Sequence, residues 1–192
     1  MRKNVLAFVL AVATGFSSIA STPVKKEKKS IKTAESTVTW KGYKVTGSHY
    51  GAIDLKEGFL VFEGDKLKGG EFVVDMATLS SQDLQGEYKD KLDGHLKSDD
   101  FFGTDKHATS KLVFTKVAAS GKNSYKVTGD LTIKGKTNPV SFDVSVYGSK
   151  ATATMKIDRS KYDVKYGSGS FFDNLGDKTI YDEFDLVVDL VF

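Results

Sequence analysis

The sequence predicts an all-β fold, an eight-stranded antiparallel β-barrel with one short helical excursion between strands. Three observations predict it. Runs with apolar residues at every second position recur from about Ser36 to the last residue, and period-2 alternation places one face of a strand on a core. Valine, threonine, phenylalanine and tyrosine dominate these runs, as suits a pleated, half-buried surface. Short turn signals separate them, and short links join antiparallel neighbours, whereas parallel strands need long crossovers. The count is about eight strands, at which a closed barrel has room for one small ligand.

The elements follow in chain order. Arg2 and Lys3 precede an apolar run from Val5 to Val12, and Ser18-Ile19-Ala20 supplies a small-x-small cleavage pattern. Residues 1–20 are therefore expected to be a signal peptide, too short in its apolar part to span a bilayer. Residues 21–35 contain Lys25-Lys26-Glu27-Lys28-Lys29 and are expected to be a solvated, lysine-rich linker. Residues 36–192 form the barrel domain.

Thr37 to Lys41 alternates and opens the barrel. Glu63-Gly64-Asp65 marks a turn, and a further strand ends near Met76. Ser80 to Asp100 breaks the alternation and places Leu84, Tyr88, Leu92 and Leu96 at helical spacing, one apolar stripe able to cap a barrel end. Strands resume near Lys111. Turns at Ser120–Asn123, Lys134–Lys136 and Tyr147–Ser149 separate Tyr125–Lys134, Val140–Val146 and Ala151–Ile157. Pro139 sits at a strand start, where its missing N–H costs little. Tyr166 to Lys178 is a glycine-rich loop containing Phe171-Phe172, a pair expected to fold over the barrel mouth. Phe184 to Phe192 alternates to the last residue.

Composition narrows the function. The chain has no cysteine, so thiol catalysis and cysteine metal sites are absent. Removing Arg2 and Lys3 with the leader leaves 26 basic and 25 acidic residues, without the basic footprint of a nucleic-acid binder. His49, His95 and His107 show no metal-ligand spacing, and no metal or other cofactor is expected. His49 and His95 are expected to be buried and hydrogen-bonded, His107 solvated. Gly167-Ser168-Gly169-Ser170 lacks the strand-to-helix context of a nucleophile elbow, and no residue set specifies catalysis.

What the chain does supply is apolar surface on one face. Trp40, Leu60, Phe62, Phe72 and Val74 take that face in the first half. Phe114, Leu131, Ile133, Phe142, Val144 and Met155 take it in the second. With thirteen phenylalanines in the chain, the face fits a packed core or a hollow, aromatic-lined interior.

Several segments together resemble a known family. They are Thr39-Trp40-Lys41-Gly42, Gly47-Ser48-His49-Tyr50-Gly51 and Gly70 to Met76, then Lys91 to Phe102, Val127 to Gly135 and Ile157 to Tyr162. In this order they are similar to the YceI-like proteins, over about Ser36 to Phe192. The resemblance implies a lipocalin-like barrel, a bacterial periplasmic or secreted location, and an internal tunnel for a polyisoprenoid or similar amphiphile. Phe171 and Phe172 join the cavity residues above as expected ligand contacts. His49, His95 and Arg159 fall on the family's polar motifs, as barrel-end structure or as contacts to a ligand headgroup. The expected partner is thus an amphiphilic lipid, with peripheral membrane contact at most and a monomer or homodimer.

Two other readings compete with this non-enzymatic one. An integral outer-membrane barrel would also alternate to a terminal aromatic, with Phe184, Leu186, Val188 and Leu190 facing lipid. A lipid-modifying enzyme is the third, with no residue set behind it.

Overall fold

The computed structural model describes residues 25–192; the expected signal peptide lies outside them. Strands β1 (Lys26–Ser30), β2 (Thr37–Lys44), β3 (Gly47–Glu63) and β4 (Lys66–Ser81) lead to helix α1 (Gly86–Lys97). Strands β5 (Thr109–Gly121), β6 (Ser124–Ile133), β7 (Lys136–Tyr147), β8 (Lys150–Asp158) and β9 (Glu183–Val191) follow. Every pairing is antiparallel. Strands β2 to β9 pair in sequence order, and β9 returns to β2, closing a ring of eight.

The lysine run differs from its expected role. Lys26–Ser30 is a strand, paired with β3 from Glu63 to Phe59. Strands β1 and β2 lie end to end along β3, separated by a short 3-10 turn at Thr33–Glu35. The side chains are largely solvated, as the charge predicts, but the backbone is no linker. Lys28 Nζ lies 3.4 Å over the Phe59 ring, and Lys29 Nζ 5.0 Å over Phe62. The lysine stems thus cover aromatic surface while their charges stay wet.

The two barrel ends are built differently. One end carries the tight β3–β4, β5–β6 and β7–β8 turns and the chain terminus at Phe192. Its interior is packed solid: Phe62 meets Phe192 with ring centroids 5.4 Å apart, above buried Leu67, Tyr125 and Val127. The opposite end carries the β2–β3 and β6–β7 hairpins and both long excursions, residues 82–108 with α1 and residues 159–182. The β6–β7 hairpin turns through Lys134 and Gly135, both at positive φ, the geometry that matches strand twist. Lys134 Nζ then donates to the Asp99 and Phe101 carbonyls at 2.8 Å each, tying this hairpin to the segment after α1.

Helix α1 rests on the rim through one polar cluster and one apolar face. Asp93 accepts from Ser81 N–H at 2.6 Å, Ser80 Oγ at 2.9 Å and Lys89 Nζ at 2.7 Å. Leu96 is buried and Leu92 packs on the core. The predicted stripe does not hold throughout, because Tyr88 is 75% exposed. The buried face of α1 begins one turn later, at Leu92, so helical spacing alone extends it too far towards the first turn.

Candidate functional site

Alternation turned inward builds the site. β9 shows the geometry: Phe184, Leu186, Val188 and Leu190 line a cavity, while Asp185 and Asp189 lie on the other face. The cavity volume is about 190 Å³. A space of this size between apolar walls suits a thin chain in single file.

Ten of the expected cavity residues line it: Trp40, Leu60, Phe72, Val74 and Phe114, and further round the barrel Leu131, Ile133, Phe142, Val144 and Met155. Phe72, Phe114 and Phe142 form a continuous aromatic wall, with successive centroids 5.5 and 5.7 Å apart. Trp40 is braced by a hydrogen bond from Nε1 to the Ala52 carbonyl, 3.3 Å. It sits where β3 passes close, at Gly51, whose missing Cβ leaves room for the indole and the Ser80 carbonyl.

Three expected residues stand elsewhere. Phe62 is buried below the cavity floor against Phe192, since it lies nearer the closed end of β3. Phe171 and Phe172 are 42% and 50% exposed and do not fold over the mouth as expected. Their backbone N–H groups both donate to the Ser168 carbonyl, making a tight turn that points the pair outward.

The roof contains residues that sequence reasoning missed. Phe101 and Phe102, in the segment after α1, line the cavity together with Leu96, Ile180 and Tyr181. Phe101–Phe102 is an adjacent aromatic pair just after a helix, a signal present in the chain that alternation does not read. On the barrel wall, Ile53, Leu55, Met76 and Leu79 were also missed. The β3–β4 register shifts there disturb simple period-2 counting.

Of the three polar candidates, Arg159 alone borders the cavity. It is 2% exposed, yet its charge is fully engaged. Nη1 donates to the Val164 and Tyr166 carbonyls at 2.8 and 2.9 Å, Nη2 to Ile180 at 2.9 Å, and Nε to Tyr181 at 3.3 Å. Asp182 lies 3.3 Å from Nη2, and the guanidinium sits 5.4 Å over the Phe101 ring. Burial pushes the Arg159 pKa down, while the Asp182 and Asp158 carboxylates push back. The planar fork thus serves as the scaffold of the 159–182 excursion.

His49 Nδ1 is 2.8 Å from Asp83 Oδ2 at the roofed end of β3, opposite Gly42 and beyond the cavity lining. Partial burial raises the Asp83 pKa, but hydrogen bonds from His49 and the Tyr50 N–H outweigh it and hold the carboxyl low. His95 packs edge-on to Phe101 and Tyr166, centroids 5.5 and 4.3 Å away. Its buried Nε2 has no hydrogen-bond partner, contrary to expectation. His107 is half-buried beside Gly103 and Gly135 rather than solvated. Ser168 is fully buried, with its hydroxyl accepting from the Ser170 N–H at 3.1 Å. Among the described residues, no group of three or more His, Asp or Glu side chains is placed to hold a metal ion.

The arrangement is an apolar, roofed barrel interior without a free charge, and comparison with known proteins agrees with that architecture. A YceI-like domain model matches residues 30–192. The chain belongs to the YceI-like family. A UPF0312 protein of Shewanella denitrificans is 33% identical over 58% of this chain and 55% of its own length. The chain spans about half the length of the curated relatives it first matches. Among solved structures, Burkholderia cenocepacia BcnA superposes with a TM-score of 0.64 at 24% identity, over 84% of this chain and 99% of that one. A polyisoprenoid binding domain from Saccharophagus degradans gives 0.56 at 13% identity, over 84% and 97%. At such identities the likeness is one of fold. The motifs recognised in the sequence span this same YceI-like domain, and the lipocalin-like closed barrel is the family's architecture.

Proposed function

We propose that this YceI-like barrel encloses the apolar tail of an isoprenoid-type amphiphile, for transport, storage or sequestration, and does not act as an enzyme. The observation that carries this is the lining itself. Aliphatic and aromatic side chains make up most of the lining; at its border Arg159 has its donors engaged by backbone carbonyls, and Lys111 pairs with Glu71 at 2.7 Å. An apolar chain loses no hydrogen bond on entering, whereas a headgroup inside would find few partners. The headgroup therefore stays near the roof. Enclosing each methylene contributes about 0.8 kcal/mol before association costs are subtracted. The Saccharophagus degradans neighbour, described as polyisoprenoid-binding, supports the same ligand class.

The outward face weighs against the integral-membrane alternative. Lys126, Asp130, Asp143, Lys156, Asp185 and Asp189 project from consecutive strands, where a lipid-facing band would be apolar. The leader pattern supports export to the periplasm or beyond, which N-terminal sequencing of the exported protein tests.

Trp40 is the only tryptophan and lines the cavity, so its fluorescence reports occupancy. Titrating lipid-stripped protein with geranylgeraniol in detergent micelles is expected to shift Trp40 emission saturably and to raise the melting temperature. No shift, with no lipid in an organic extract of the purified protein, overturns the proposal. Retention in membranes after carbonate washing would instead favour the integral barrel.

A further inference from the structure

The exposed apolar side chains are unevenly distributed. Among the described residues nine large hydrophobics are exposed, and seven of them lie on the strand ends and connections of the roofed end. Of the other two, Tyr147 is at the closed end and Val187 on the barrel wall. Five of the seven form one connected rim. Val45 N–H donates to the Thr179 carbonyl, Tyr181 N–H to Tyr43, and Ile180 N–H to Gly167. These bonds bring Val45, Tyr166 and Tyr181 together beside the Phe171–Phe172 turn.

The rim is continuous with the cavity. Tyr181 is 52% exposed and also lines the interior, so this residue joins the rim to the cavity. Charge does not define this surface. In the excursion, Arg159, Lys161, Lys165 and Lys178 are set against Asp163, Asp173, Asp177 and Asp182, with Asp163 paired to Lys165 at 2.9 Å. Exposed aromatics on a charge-balanced rim fit a bilayer interface, where an apolar body and a polar edge are both accommodated.

We propose that the roofed end docks on the surface of a phospholipid bilayer, with the Phe171–Phe172 turn entering the interfacial layer. An apolar chain then passes between membrane and cavity without crossing water. The inference rests on the lipid reading of the cavity. Because burial rather than charge drives docking, zwitterionic lipid suffices and added salt does not release the protein.

Flotation with phosphatidylcholine vesicles tests it, alongside Trp40 titration with geranylgeraniol in micelles. The full chain is expected to float at low and high salt, without phosphatidylglycerol. Phe171→Ser/Phe172→Ser is expected to cut vesicle partition about tenfold or more. The same variant keeps its melting temperature and its micelle titration, because neither ring lines the cavity. Tyr147→Ser, at the closed end, floats like the parent. Parent protein that loads from micelles but stays unbound to vesicles overturns the docking surface and leaves the cavity reading intact. So does a double variant that floats undiminished, binding that requires phosphatidylglycerol, or a rim that instead pairs two copies in sedimentation. Flotation without any loading from micelles removes the cavity reading, and with it the passage of ligand that docking serves.

Discussion

Arg159 illustrates how a single side chain organises this molecule. Its fork satisfies four backbone carbonyls drawn from two stretches of the 159–182 excursion. Arg159→Met keeps the apolar stem but orphans those acceptors, and is expected to cost about 3 kcal/mol or more in urea unfolding. Arg159→Lys recovers only part of it, since an ammonium cannot span the same set of oxygens. A variant as stable as the parent would refute the scaffold role. Gly51 offers a steric counterpart. A Cβ there would lie 2.0 Å from the Ser80 carbonyl oxygen and 2.7 Å from the Trp40 ring. Gly51→Ala should cost about 2 kcal/mol by forcing β3 and β4 apart. Gly42→Ala meets nothing within 4 Å and should be near neutral by the same measurement. Residue types at these positions were visible in the chain, and Arg159 and the glycines lie in or beside the family motifs. Their roles were not, because Arg159's partners lie five to twenty-two positions away and meet it only after the barrel closes.

At the scale of elements, α1 depends on Asp93. Partial burial raises its pKa, but Lys89 and the Ser81 and Ser80 donors outweigh that and bring it from 3.8 to about 2. A carboxylate with a depressed folded pKa stabilises fully above its unfolded value, and the contribution fades as pH falls through the folded one. The stability gap between parent and Asp93→Asn should therefore be constant from neutral pH to about pH 4. It should then shrink towards pH 2 in urea titrations. A gap that grows on acidification would reverse the assigned sign. Strands were the most legible elements, since alternation, β-branched residues and turn chemistry agree. Helix α1 was legible as a helix, but its buried face was overextended to Tyr88. Strand β1 was illegible, because lysines on an edge strand owe their order to the exposed backbone of β3 and to the aromatic rings they cover, not to any pattern of their own.

The whole molecule is a barrel filled at one end and hollow towards the other. Ala153 lines the cavity on β8 and is only partly buried. Ala153→Phe fills space the ligand would take, so it should abolish the melting-temperature rise with geranylgeraniol while retaining cooperative unfolding. Unchanged ligand stabilisation would show that the chain does not occupy the cavity. Asymmetry between the ends also separates stability from function. Substitutions around Phe62, Leu67 and Phe192 are expected to lower stability, and those around Phe171 and Phe172 to alter exchange with membranes.

By itself the sequence determined an all-β chain of antiparallel strands, a helical interruption, near-neutral charge over residues 21–192, and motifs of the YceI-like family. These are local properties, set by the side-chain period, the turn residues and short runs of identity. Which apolar face turns inward was decided only by closure, because alternation reads the same for a soluble barrel and a membrane one. Whether that face is packed or hollow was decided by axial position. Phe62 and Phe72 belong to neighbouring strands of one hairpin, yet Phe62 plugs the closed end and Phe72 lines the void. The distance across the barrel at each level sets that difference, and it depends on all eight ring strands at once.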